Sequence, residues 1–599
     1  MSSPRYVVGI DLGTTNSALA YVDLESDALG PQAVHDFVIP QLVGPGETAG
    51  RRLLPSCAYL PATHELAGAA LTLPWGERPV VVGELAKVQG ARVPGRLVAS
   101  AKSWLCHAAV DRTAPVLPWG APEGVKRISP VAASGLYLAH LRDAWDHQHP
   151  LALMQEQEIV LTVPASFDEV ARELTVRAAH EVGLRNLSLL EEPQAAFYWW
   201  SAQHGEGLLP VLGGGQKLVL VVDVGGGTSD FTLIHVASEG ASPAGLQGTQ
   251  MRRIAVGDHI LLGGDNVDVT LARGLEPKLS ARIDAAQFTM LIATCRGAKE
   301  ALLGEGGPDK LTVAIAGRGS RLVGSTLTAE LTRAQVLETV CEGFFPRAAA
   351  HERPQKQKRS GLAEFGLPYA SDAAVTRHLA AFLAAHAEDV AEVSGGDPSK
   401  MPRPDAILLN GGVFTPRIIG ERLAEILSSW FPGDAVPLLS TDALDLGVAR
   451  GAAWMGLVKR GKAARIGGGA ARAYFLGVDG EGGSRGDRAL CVVPRHLEEA
   501  GGAAAHVRPR RGPPSSLSAL RVEPCARGEA WRSGRARGGR VHHPAAHSNR
   551  APHGRRRGRR DPRALARQAV VARHAGALPR GLPRGARGRR GRGVRRRSQ

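Results

Sequence analysis

Short apolar runs, separated by glycine, proline or charged punctuation, alternate with helical patterning over residues 5–460. That alternation predicts an α/β fold. Residues 6–10 and 18–22 read as strands on either side of Gly13-Thr14-Thr15-Asn16. Residues 159–163 form an apolar run stopped by Pro164. Behind it, Ser166 and Glu169 have the spacing of a capping box. Val170, Leu174, Ala178 and Val182 then recur every fourth residue up to Gly183, which predicts a helix and its end. Residues 217–222 and 231–234 flank a second glycine turn, and 406–409 make a further buried strand ahead of Asn410-Gly411-Gly412. Tyr198-Trp199-Trp200 reads as a helix face packed on the core. Surface loops are expected at 204–215, 352–361 and 393–404, all rich in Gly, Pro, Ser or charge.

The repeat in the chain is a long one. The run from Asp11 to Ser17 (DLGTTNS) returns in outline 212 positions later as Asp223 to Ser229 (DVGGGTS), each time between two apolar strands. Two such units predict two similar lobes facing one another. Turns built on Gly13, Gly225, Gly226 and Gly227 let backbone N–H groups approach phosphate oxygens, because no Cβ stands in the way. The hydroxyls of Thr14, Thr15 and Thr228 add donors. Asp11 and Asp223 end their strands where carboxylates can hold Mg²⁺ through its waters. Asp230 either joins them or orients an attacking water. One Asp-x-Gly hairpin is commonly just a tight turn; two matching ones point to a nucleotide.

These stretches resemble the nucleotide-binding domain of the DnaK-type, seventy-kilodalton heat-shock chaperones. GIDLGTTNS (9–17) and DVGGGTSD (223–230) are similar to the family's two phosphate motifs. VPASF (163–167) and EEPQAA (191–196) resemble the segments around its lobe connection. GDHILLGGDN (257–266), with Gly263, Gly264 and Asp265, resembles a nucleotide-contacting segment. LLNGGV (408–413), with Gly411 and Gly412, stands at the adenosine motif, and ARGAA (449–453) at the second connection, with Asp445 ahead of it. The resemblance covers about residues 5–500. It implies a two-lobed actin-like ATPase fold with duplicated ribonuclease-H-like lobes. It implies ATP/ADP and Mg²⁺ as ligands, with Asp11 and Asp223 at the metal. Lys102 is implied to orient the γ-phosphate and the attacking water, and Pro164 and Glu192 to relay nucleotide state to lobe rotation. Lys299 is retained from the adenosine side. Arg296, Glu300 and Leu303 stand where the family has a glutamate, an arginine and a serine, while Val413 and Phe414 replace a serine and a threonine. The phosphate grip is expected to survive these changes, with adenine selectivity altered.

Charge separates the chain in two. Residues 501–599 hold 27 arginines, no lysine and three acids, a net +24, whereas the rest carries 46 basic and 54 acidic residues, a net −8. The body alone therefore gives no reason to expect nucleic acid. Cys57, Cys106, Cys295, Cys341, Cys491 and Cys525 are scattered without a C-x-x-C pair, which suggests neither zinc nor a disulfide framework. His259 and the pair His542-His543 likewise lack a second ligand cluster. The N-terminus shows no signal-peptide pattern and no apolar run reaches membrane-spanning length, so the cytoplasm is expected.

Four domains follow: an ATPase over 1–459, a linker over 460–472, the first strands of a substrate-binding β-domain over 473–500, and a disordered Arg-rich tail over 501–599. The tail contains no Ile, Lys, Phe, Tyr or Met and cannot complete a sandwich. It reads as a frame-shifted product, as a basic arm for RNA or DNA, or as a solvated segment without a role. Extended peptide clients and co-chaperones are the expected partners if the β-domain is complete, with nucleic acid expected only through the tail and no membrane. A nucleic-acid-binding protein and a small-molecule kinase on the same fold are the competing functions.

Overall fold

A computed structural model describes residues 3–468, apart from 29, 67, 108, 239–248, 318–325, 356–365 and 442–443, together with the backbone of Tyr474–Gly477 and Ala489–Val493. Two six-stranded sheets dominate it. In the first, β1 (Tyr6–Leu12) pairs antiparallel with β2 (Asn16–Asp23). That strand carries β3 (Val34–Asp36) and β4 (Leu53–Pro55), both antiparallel to it. On the other side of β1 lie β5 (Glu158–Val163) and then β6 (Leu187–Glu191), both parallel.

The second sheet repeats the plan. Its β7 (Lys217–Val224) and β8 (Ser229–Ser238) form the antiparallel hairpin, followed by β9 (Thr249–Val256). Parallel to β7 come β10 (Ala406–Asn410) and β11 (Leu438–Leu439). The mixed α/β architecture and the duplicated halves expected from the sequence are both present.

Strand alternation explains how the two sheets share one molecule. Val7 of β1 and Val219 and Val221 of β7 turn into a central core, while Val8, Ile10, Leu220 and Val222 turn outward into a separate core for each half. Both faces of these strands are covered, so they are apolar almost throughout.

The helices that place the site are α1 (Glu84–Arg92), α2 (Ala101–Trp104), α3 (Glu169–Glu181), α4 (Glu192–His204), α5 (Gly264–Leu275), α6 (Ala285–Leu303), α7 (Ala387–Ser394) and α8 (Gly447–Lys459). The central core is completed by α4 and α8, which cross at a point with no room for a side chain. A Cβ on Gly451 would lie 1.8 Å from the carbonyl oxygen of Ala195. Tyr198, Trp199 and Trp200 of α4 are buried there, as the helix-face reading expects.

Some local expectations are corrected. The cap of α3 is Asp168, whose carboxylate accepts the Ala171 N–H at 2.7 Å. Ser166 is not the cap, because its hydroxyl is hydrogen-bonded to His259 Nδ1 at 2.7 Å. Val170 is half exposed, so the buried stripe of α3 starts one residue later, at Ala171. The stretch 204–215 is not all loop, since Leu208–Val211 is helical and Leu208 is buried. Within the expected linker, Ile466–Gly467 (β12) pairs parallel with β9, and the Ile466 N–H donates to the Tyr198 hydroxyl at 2.9 Å. The stretch 352–361 runs into undescribed residues, and the tail over 501–599 lies outside the described ones. The strands Tyr474–Gly477 and Ala489–Val493 pair antiparallel. Among the described residues no helix is long and apolar enough to cross a membrane, and Cys57, Cys106, Cys295 and Cys341 are free thiols.

Candidate functional site

The two hairpins project from the ends of β1 and β7 toward the same place. Asp11, Gly13, Thr14, Thr15 and Asn16 from the first and Asp223, Gly225, Gly226 and Thr228 from the second line one cleft of about 330 Å³. Lys102, Glu192, Gly264, Asp265, Lys299, Gly411, Gly412 and Asp445 line it too. Gly227, Gly263 and Asp230 are not among the lining residues, and Gly263 packs against Gly225 and Gly226 of the second hairpin. The hairpins touch at their tips: a Cβ on Gly226 would fall 1.9 Å from Thr15 Oγ1, and one on Gly227 would fall 2.9 Å from Thr14 Cγ2. Only glycine permits that approach.

Backbone pairing sets the acids in place. Asp223 stands opposite Asp230 across the β7–β8 hairpin and beside Asn410 on β10. Asn410 Nδ2 donates to Asp223 Oδ2 at 2.9 Å. Asp11 accepts from the Thr162 hydroxyl at 3.3 Å, from the neighbouring strand β5. Lys102 Nζ donates to Glu192 Oε1 at 2.6 Å, joining α2 to the first residue of α4, with both side chains buried.

Negative charge is in excess around this pair. Burial, and then repulsion from Glu192, lift Asp11 to about 7. Burial, Glu192 and Asp230 lift Asp223 to about 8. Asp230 rises to about 6 through burial, against a hydrogen bond from Ser166. Burial alone raises Asp445. For Lys102 burial disfavours the charge, but Glu192, Asp11 and Asp223 outweigh it and the pKa goes up, so the ammonium persists. Hard oxygen donors with unbalanced charge suit a divalent cation. Among the described residues no three His, Cys, Asp or Glu side chains converge as a ready ligand set.

The far end of the cleft differs in character. Arg296 on α6 donates to Asp265 Oδ1 at 2.6 Å and to Asp268 Oδ2 at 2.7 Å, while Lys299 reaches Asp268 Oδ1 at 2.6 Å. Asp265, then Asp268, hold the Arg296 guanidinium firmly protonated. Asp265 also accepts from the Ser100 hydroxyl at 3.0 Å, across the cleft. Leu303, Val340, Val413, Ile419 and Leu444 supply apolar walls. Val340 lies in a π-helical turn, Thr339–Phe344, an irregularity frequent at functional sites.

Sequence reasoning found Arg296 only as a departure and missed Asp268, Ser100, Thr162 and the role of Asn410. Asn410 stood next to a recognised glycine pair, but its partnership with Asp223 depends on strand register. His259, which the sequence offered no second metal-ligand cluster, bonds the Ser166 hydroxyl through Nδ1.

Comparison with known proteins adds a lineage. Residues 74–352 match the Hsp70 protein family. The chaperone protein HscA homolog of Bordetella pertussis is 28% identical over 448 residues, covering 72% of this chain and 61% of that protein. The HscA homolog of Cupriavidus necator is 30% identical over 341 residues, 55% of this chain and 46% of that one. The HscA homolog of Burkholderia pseudomallei is 32% identical over 317 residues, 50% and 42%. The chain thus spans roughly half the length of the curated relatives it matches.

Proposed function

We propose that this chain, which matches the Hsp70 protein family model over residues 74–352 and an HscA homolog at 28% identity, is a chaperone-type ATP hydrolase of the two-lobed actin-like fold. The observation that carries the proposal is the meeting of Asp11 and Asp223, from matching hairpins of two sheets, in one cleft beside a buried Lys102–Glu192 pair.

Each residue then has a task. N–H groups of the two glycine turns and the hydroxyls of Thr14, Thr15 and Thr228 bind phosphate oxygens. Asp11 and Asp223 would hold Mg²⁺, which would supply positive charge to neutralise the triphosphate. Lys102, oriented by Glu192, stabilises charge developing on the γ-phosphoryl oxygens, as an electrostatic catalyst. Asp230, opposite Asp223 across the β7–β8 hairpin, orients the attacking water. Gly263, Gly264, Asp265, Lys299, Gly411, Gly412 and Asp445 form the nucleoside side. Arg296, taken up by Asp265 and Asp268, and Glu300 make that side chemically unlike the family pattern, so base selectivity is expected to be relaxed. Extended peptides and co-chaperones are the proposed partners, in the cytoplasm, with the strands Tyr474–Gly477 and Ala489–Val493 beginning the peptide-binding part.

Calorimetry of the full chain with ATP tests this. Binding is expected with Mg²⁺ and is expected to weaken sharply in EDTA. Lys102→Ala is expected to retain binding and lose about 100-fold in phosphate release. Absence of Mg²⁺-dependent ATP binding would overturn the proposal.

A further inference from the structure

A second cavity, of about 240 Å³, lies between α7 and the sheet formed by β7, β8 and β9. It shares no lining residue with the cleft. Its walls are largely aliphatic, with Leu218, Ile254, Val390, Val393 and Met401 among them. Its polar lining includes Lys217, Asp397, Lys400 and Asp405, and two further lining residues each carry a buried nitrogen without a partner among the described residues. His235, on β8, is 8% exposed, and its Nε2 has no hydrogen-bond partner among the described residues. Arg403 spends one guanidinium nitrogen on the Asp434 carbonyl at 2.9 Å, yet its Nε is buried and likewise without a partner.

Buried donors without acceptors are costly, because water has been given up and nothing has replaced it. The acids nearby are already engaged. Asp405 accepts the Leu218 N–H at 2.8 Å and lies 3.7 Å from Lys217 Nζ. Asp397 accepts from Ser399 at 2.7 Å and lies 3.6 Å from Lys400. Burial, and next the Arg252 charge, lower the His235 pKa, so its ring is neutral at pH 7 and able to donate from Nε2 without carrying a charge of its own.

We propose that this cavity binds a small organic anion, a carboxylate on a short apolar body, with the carboxylate on Arg403, the apolar body among Val390, Ile254 and Met401, and a hydrogen bond at His235. Ligand pockets for drug-sized molecules run from about 300 Å³ upward, so this occupant is smaller. Charge selects the acid over an alcohol or an amine of equal length, because the guanidinium accepts no hydrogen bond and repels a cation.

Saturation-transfer NMR on the full chain, using hexanoate, 1-hexanol and hexylammonium as probes, tests the assignment. Hexanoate is expected to bind at least about tenfold more tightly than either of the others. Arg403→Gln is expected to remove that preference, and His235→Phe to weaken hexanoate while leaving the chain folded by circular dichroism. Saturating Mg²⁺ and ATP are expected not to displace it, which separates this cavity from the nucleotide cleft. A histidine-selective NMR spectrum supplies a second reading, since hexanoate must shift the His235 signal. Equal binding of the three probes, unchanged binding in Arg403→Gln, displacement by ATP, or an unmoved His235 signal would each overturn the proposal.

Discussion

At the scale of single residues, the cleft is governed by how much negative charge it confines. Asp223 titrates near 8 instead of its ordinary 3.8, so between those values the folded chain holds a proton that the unfolded chain has released. Its contribution to stability is therefore fully present below about pH 4 and is lost as pH rises toward 8. Asp223→Asn is expected to flatten that slope. At pH 8, without Mg²⁺ or nucleotide, the variant should exceed wild type by several kcal/mol, and at pH 4 the two should agree; urea denaturation at several pH values checks both. The Lys102–Glu192 pair makes a different demand. Lys102→Met strands a buried carboxylate and is expected to cost about 3 kcal/mol. The double variant Lys102→Met with Glu192→Gln should regain most of that stability but no ATP turnover, which separates the structural from the electrostatic role of the ammonium.

Elements are where sequence reading succeeds and fails for identifiable reasons. The hairpin strands were legible because they are apolar on both faces, and their aspartates and glycines fall within a few consecutive positions. The α3 cap was misread because Ser166 and Asp168 both fit the local pattern, and His259, 93 residues away, takes the Ser166 hydroxyl. Asp168→Ala is accordingly expected to cost at least about 1 kcal/mol for the lost cap, and somewhat more because Asp168 also makes two 2.9 Å bonds with Arg112. Ser166→Ala should leave α3 intact. Thermal melts of the two variants give the comparison. The α4–α8 crossing was invisible in the sequence, since nothing near Gly451 announces Ala195 as its neighbour. Gly451→Ala must push the helices apart and is expected to destabilise by about 1–3 kcal/mol, read by urea denaturation.

For the whole molecule, the duplicated plan was the most legible feature, because the repeated Asp-x-Gly unit recurs at the same place in each sheet. The nucleoside end was least legible. Its network of Arg296, Asp265, Asp268 and Lys299 joins two helices, and Ser100 reaches it from the opposite half. Only the folded chain brings those segments together. The touching tips of the two hairpins have a further, temporal meaning. On the proposed function, a triphosphate entering between Gly226 and Thr15 requires them to part, so its association is expected to be limited by that separation. In stopped-flow mixing with a fluorescent ATP analogue and Mg²⁺, the observed association rate should climb and then level off as ligand concentration increases, instead of rising in proportion to it. Thr15→Ser keeps the Oγ that faces Gly226 and should leave the ceiling where it is, whereas Thr15→Gly, which clears the side chain entirely, should lift it.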